Sequence, residues 1–172
     1  GYTNAGKSTV FNRLTSGGSE TSDAFFVTLD PLVRSLKLPG RRLVLLSDTV
    51  GFIERLPHAL IAAFRATLEE VVGADLLIHV VDVSHPDWGA RMKSVSHVLE
   101  EIGASDRPVQ LLFNKSDRLD RFEMRQLRMR CGDAIIASAH TGDGHARLVQ
   151  AIQQRLDRYS CRARLTFDSD SR

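Results

Sequence analysis

Gly1-Tyr2-Thr3-Asn4-Ala5-Gly6-Lys7-Ser8 opens the chain and decides its fold. The spacing is G-x-x-x-x-G-K-[ST], the pattern of a P-loop, in which backbone wraps a phosphate chain at the start of a helix. Glycines let the main chain approach closely, and the first N–H groups of the helix supply donors and partial positive charge. In such a loop Lys7 reaches the β- and γ-phosphates and the Ser8 hydroxyl ligates magnesium. Average residue usage makes a chance match in 172 residues rarer than about one in a hundred. The bland alternative, a glycine turn at a helix start, weakens as companion motifs follow in order.

Outward from that loop, helical and strand patterns alternate, which predicts an α/β domain with a mostly parallel sheet. Gly6–Thr15 reads as a helix, and Ser16–Ser22 as a polar loop. Leu32–Leu38 and Arg41–Ser47 read as strands joined at Pro39-Gly40. A helix carrying Leu60, Phe64, Leu68 and Val71 follows Pro57. Strands are expected at Leu76–Val81, Val109–Phe113 and Ala134–Ala137, and helices at Pro86–Ile102, Arg121–Arg130 and Ala146–Tyr159. The expected fold is a three-layer, small-GTPase-type P-loop domain with one antiparallel edge hairpin. Its first strand, which should precede Gly1, is missing from the chain. The domain is expected over residues 1–160, with 161–172 as the start of a truncated C-terminal segment.

Composition agrees with a folded domain. Apolar residues are 42% and charged residues 26% of the chain. The apolar runs are strand-length, so no membrane span is expected, and no signal-peptide pattern is present. Cys131 and Cys161 lack a metal-ligand pattern, which fits a reducing cytosol, and a cytoplasmic monomer is expected. His79, inside an apolar run, reads as a core residue rather than a ligand. A net charge of +2 does not announce a nucleic-acid binder. Arginine is nevertheless dense at Arg118, Arg121, Arg125, Arg128 and Arg130, and again at Arg155, Arg158, Arg162 and Arg164. A solvated helix face and an RNA-contacting surface both account for those clusters.

Parallel sheets gather ligands at the carboxyl ends of their strands, and the remaining motifs fall there. Asp48-Thr49-Val50-Gly51 follows the apolar run Leu43–Leu46. Asp48 can hold magnesium through its water shell, and the Gly51 N–H can meet the γ-phosphate. D-x-x-G alone is more often an ordinary turn, but after a P-loop and a buried strand the functional reading is favoured. Asn114-Lys115-Ser116-Asp117 follows the strand Val109–Phe113. A carboxylate at Asp117 can accept from guanine N1–H and the N2 amine together, a donor pair adenine lacks. That makes GTP and GDP the expected ligands and disfavours ATPases and kinases. The Lys115 stem can lie along the base plane, and Asn114 can tie its loop to the P-loop. Ser138-Ala139, with His140 beside it, can offer backbone N–H groups to guanine O6. In Phe26-Val27-Thr28-Leu29-Asp30, Thr28 is the candidate switch residue, with its hydroxyl on magnesium and its N–H on the γ-phosphate. Thr21 is the less favoured competitor. Lys7, Thr28 and Gly51 are thus the candidate catalytic groups. Phe52, after Gly51, cannot orient water as the glutamine of Ras-like enzymes does, so a partner-stimulated reaction is expected.

Gly1–Thr9, Phe26–Pro31, Asp48–Ile53, Leu56-Pro57-His58 and Ala63–Glu70 together resemble the HflX family of ribosome-associated GTPases. The resemblance covers nearly the whole chain, and Asp48–Glu70 is its most specific part. The chain departs from the family pattern at Val27, Leu32, Val33, Glu54-Arg55 and Ser116. The resemblance implies a protein that docks on the large ribosomal subunit and helps split or rescue stalled ribosomes. A tRNA-modification or ribosome-assembly GTPase and a non-hydrolysing nucleotide-sensing module are the alternatives. Asn4 stands where potassium-stimulated GTPases carry an ion-holding asparagine, so it is a candidate K+ ligand; a simple turn cap is the competing role.

Overall fold

The computed structural model describes residues 1–15, 32–48, 70–130 and 132–158. Helix α1 (Lys7–Thr15) leads into strand β1 (Leu32–Lys37), a 3-10 turn at Pro39–Arg41 and strand β2 (Leu43–Asp48). A helical stretch over 70–73 precedes β3 (Leu77–Asp82). Then come α2 (Trp88–Glu101), β4 (Val109–Asn114), a 3-10 turn at Ser116–Arg118, α3 (Arg121–Arg130), β5 (Ile135–Ile136) and α4 (His145–Arg158).

The β3 and β4 segments are apolar almost throughout because both faces of a parallel sheet are covered by helices. They pair in parallel, with His79 opposite Leu111 and Asp82 opposite Asn114, and β5 adds in parallel on the far side of β4. Side chains alternate between the faces. Ile78, Val80 and Leu112 pack with Val10 and Leu14 of α1 and Leu148 and Ile152 of α4. Val81 and Phe113 face the opposite layer with Trp88, Met92 and Leu127, while Leu77 meets Val95 and Leu99 of α2. Leu112 is wholly buried, and truncating such a leucine costs about 2–5 kcal/mol. The polar interruption in β4, Gln110, is satisfied: its Oε1 accepts from Arg155 Nε at 2.7 Å and its amide donates to Leu111 O at 3.0 Å.

β1 and β2 form the expected antiparallel hairpin, from Leu32 opposite Asp48 to Lys37 opposite Leu43. The sheet is therefore found as two ladders among the described residues, β1–β2 and β3–β4–β5. Between them runs an open groove of about 720 Å³, lined by β2, by Leu76–His79 and by Gly1. The helix expected after Pro57 lies outside the described residues except for 70–73. Elsewhere the expected elements are present, each with ends within two residues of those expected.

Candidate functional site

The site assembles where α1 begins and β2, β3, β4 and β5 end. The P-loop turns on two left-handed residues, Asn4 (φ 60°) and Gly6 (φ 90°). The Ala5 N–H closes the turn on Tyr2 O at 3.3 Å, and α1 starts at Lys7 with its first N–H groups free of helical partners. Ser8, Thr9 and Asn4 are exposed around that helix start. Lys7 Nζ folds back onto Tyr2 O at 3.0 Å. Burial lowers the Lys7 pKa, and the carboxylate of Asp48 opposes that shift, so Asp48 lies within electrostatic reach of the lysine. Tyr2 is buried, with the Arg91 guanidinium 4.8 Å from its ring centroid, and Thr3 is half-buried.

Asn114, at the end of β4, joins the phosphate loop to the base loop. Its Nδ2 donates to Ala5 O at 2.9 Å, and its Oδ1 accepts from the Ala139 N–H at 2.9 Å. It is 2% exposed, and both ends are satisfied. Gly6 is required for this approach as well as for its φ: a Cβ there would stand 2.4 Å from Asn114 Nδ2. The Ala139 N–H, which the sequence offered to guanine O6, thus already has a partner within the protein.

Lys115 occupies the left-handed region (φ 65°, ψ 31°), a conformation that costs a side-chain-bearing residue on the order of 1 kcal/mol. Its Nζ meets Asp82 Oδ2 at 2.6 Å, and Asp82 Oδ1 accepts from the Ser84 N–H and hydroxyl at 3.0 and 2.6 Å. Burial works against the Asp82 charge, but the bonds from Lys115 and Ser84 outweigh it and hold its pKa below the usual carboxylate value. Ser116 is buried beneath the loop, its N–H on Ala137 O. Asp117 is exposed, and the Ser138 hydroxyl is the main cause of its lowered pKa. Asp117 is therefore an exposed, ionised acceptor, with Lys115, Ser138 and His140 around it.

Phe26, Val27, Thr28, Leu29, Asp30, Thr49, Val50, Gly51 and Phe52 lie outside the described residues. Of the proposed site, the structure brings together the P-loop, Asp48 and the loops after β4 and β5. Two contributors were not singled out from the sequence: Asp82 merely ends an apolar strand, and Arg13 bonds a loop 126 residues away. Only the aspartate closing β3 carried a visible signal, a charge at the carboxyl end of a buried strand.

Hard oxygen donors fit magnesium: the Ser8 hydroxyl is exposed at the helix start, and Asp48 ends β2 near Lys7. No cluster of three or more His, Cys, Asp or Glu able to hold a metal occurs among the described residues. No described helix is long and apolar enough to cross a membrane.

A P-loop pattern at a helix start, an exposed carboxylate at Asp117 and an asparagine bridging the two loops give the chain the layout of a P-loop nucleotide-binding domain. The family described as 50S ribosome-binding GTPase matches residues 1–115, and the chain belongs to it. It is 48% identical over 158 residues to GTPase HflX of Magnetococcus marinus, covering 92% of this chain and 37% of that protein. To GTPase HflX of Escherichia coli it is 45% identical, covering 91% of this chain and 37% of that protein. The chain thus spans a little over a third of the curated relatives it matches. Among solved structures, it is similar to SsGBP in complex with GDP (TM-score 0.70, 27% identity, 94% of this chain and 49% of that one). The HflX resemblance and the small-GTPase-type fold read from the sequence are both borne out.

Proposed function

We propose that this chain is the GTP-binding and GTP-hydrolysing switch domain of a larger protein that works at the large ribosomal subunit. The observation that carries the nucleotide part is the Asn114 bridge, which holds Ala5 of the P-loop and Ala139 of the base loop on one side chain. A ligand with phosphates at one end and a base at the other spans those two loops. Asp117 reads the guanine edge, the Lys115 stem flanks the base, and residues 1–9 cradle the phosphates. The GDP complex of SsGBP supports this choice of ligand.

Hydrolysis converts GTP and water to GDP and phosphate. Lys7 leaves Tyr2 O to meet the γ-phosphate as charge shifts onto its oxygens, while the Gly51 and Thr28 N–H groups orient the same group. Ser8, Thr28 and, through water, Asp48 are the residues that would hold magnesium. When bound, that ion neutralises charge between the β- and γ-phosphates. Asn4, exposed and left-handed, is the candidate ligand for a potassium ion beside them. The domain occupies residues 1–160.

The ribosomal part rests on the family and on the HflX relatives. Helix α3 adds a physical reason. Arg121, Arg125 and Arg128 share one face at helical spacing opposite buried Leu127, and Phe122 on the adjoining face is 68% exposed. We read the whole protein as a factor that splits or rescues stalled ribosomes. Phe52 cannot position water, so the partner completes the site. Multiple-turnover GTPase rates of the full-length protein, with and without purified large subunits, test this. Stimulation of about 10³-fold or more is expected, the scale of partner-supplied groups in other GTPases. A fast basal rate that subunits leave unchanged contradicts the reading.

A further inference from the structure

We infer that Arg13 is a positioning residue for base recognition: from helix α1 it locks the loop Ser138–His140, and through that loop it sets the Asp117 carboxylate. This deepens the guanine-nucleotide reading above and rests on it.

The contacts begin on the second turn of α1, away from the phosphates. Arg13 Nε donates to Ala139 O at 2.7 Å and Arg13 Nη2 to His140 O at 2.8 Å. A guanidinium is a rigid fork, so donating to two successive carbonyls fixes their separation and direction together. Charge-assisted bonds of this length are about twice as strong as neutral ones. Ala139 is then held from both sides, its C=O by Arg13 and its N–H by Asn114 Oδ1.

The loop is shaped to admit the arginine. Gly142 has φ +90°, and a Cβ there would stand 2.6 Å from Arg13 Nη1. Two residues on, Gly144 (φ +78°) sits so tightly that a Cβ would meet Ile136 O at 2.5 Å. Between these glycines the chain folds on itself: the Gly142 N–H donates to Ser138 O at 2.8 Å, the Ser138 N–H to Asp143 O at 3.0 Å, and the Thr141 N–H to Ser138 Oγ at 3.1 Å. Displacing this compact loop therefore moves Ser138 with it.

The backbone carries the effect to the base: the Ser116 N–H donates to Ala137 O at 3.2 Å, tying the residue before Asp117 to the residue before Ser138, so a shift of the loop is passed to the acceptor set to read the guanine N1–H and N2 amine. Arg13 is anchored on the helix that starts at the phosphate loop. It thereby references the base reader to the phosphate cradle along a route separate from Asn114.

The test is a ratio of affinities in the full-length protein, measured by calorimetry with GDP and IDP, which lacks the N2 amine. The intact protein should prefer GDP by roughly tenfold or more, the discrimination of one charge-assisted hydrogen bond. Arg13→Ala should lower that ratio at least about threefold, leaving inhibition by inorganic pyrophosphate unchanged. Arg13→Lys, with a point charge in place of the fork, should recover only part of it. Gly142→Ala, which crowds the guanidinium without removing it, should act in the same direction. A purely stabilising staple would lower the melting temperature and weaken both nucleotides equally. An unchanged GDP-to-IDP ratio in Arg13→Ala overturns the inference. Absence of any GDP preference in the intact protein, with Asp117→Asn also silent, instead overturns the guanine reading, and the inference falls with it.

Discussion

Lys115 Nζ lies 2.6 Å from Asp82 Oδ2, joining the left-handed turn after β4 to the last residue of β3. The two side chains are 22% and 16% exposed, so the pair is only partly screened by water. Asp82 is braced in turn by Ser84, which leaves the lysine one favoured direction. The ion pair offsets the cost of the Lys115 backbone and presents its stem where the base would lie.

Asp82→Asn keeps an acceptor for Ser84 and removes the charge that holds Lys115. The expected result is a loss of about 1 kcal/mol of GDP binding, or roughly fivefold in Kd. Titration calorimetry on Asp82→Asn and Asp82→Glu measures it, with the glutamate retaining more affinity. Wild-type affinity in the asparagine variant would show that the pair does not position Lys115 for the base.

Asp117 is exposed, and its carboxyl lies below the usual carboxylate range, chiefly through the Ser138 hydroxyl. Asp117→Asn turns one acceptor into a donor, which suits xanthine, with an oxygen at that edge. GTP binding should weaken by about 1.5–3 kcal/mol while XTP binding improves. Competition between the two nucleotides reads the switch directly, and an unmoved preference would place the base elsewhere.

Lys7→Ala should slow hydrolysis on the order of 10²-fold or more, since it removes positive charge from the transferring phosphate. Ser8→Ala should chiefly weaken the magnesium dependence of GTP binding. Single-turnover rates across a magnesium titration separate the two effects. Normal magnesium-dependent turnover in either folded variant rules out the P-loop roles.

Asn4 holds a left-handed conformation at the open edge of the P-loop. If its side chain ligates potassium, hydrolysis should be faster in potassium than in sodium at equal ionic strength, and Asn4→Ala should erase the difference. Equal rates in the two salts leave Asn4 as a turn residue only.

His79 is 7% exposed on β3, and burial lowers its pKa to about 4. The native state therefore binds this proton less readily than the unfolded chain, whose histidine titrates near 6.5. His79 imposes no penalty above pH 6.5, an increasing one as pH falls toward 4, and a constant one below. The total is about 3 kcal/mol. Equilibrium unfolding across that window should show the decline, and His79→Gln should flatten it. An equally steep decline in the variant would assign the acid sensitivity to other groups.

The sequence by itself determined the class of fold and the chemical character of the loops. Apolar runs at β3 and β4 could only be buried parallel strands, and their carboxyl ends had to carry the polar motifs, because loops are where a packed sheet can expose them. Gly1–Ser8 and Asn114–Asp117 were legible because each needs fixed residue types at fixed local spacing. Asp120 and Glu123, three residues apart, cap α3 reciprocally at 2.7 and 2.9 Å, a local pattern the sequence reading passed over. What only the tertiary structure decided are the partners separated along the chain. Arg13 is an ordinary helical arginine until the fold sets Ala139 and His140 against it, and Asp82 ends a strand like many others until Lys115 turns back onto it. Gly6 reads as a phosphate-loop glycine, yet its missing Cβ also makes room for Asn114. The Ala139 N–H, free on paper, is taken by that same asparagine. A linear pattern records what each residue can donate or accept; which donor meets which acceptor depends on how strands and helices stack, and stacking is set by the burial of side chains from the whole chain at once.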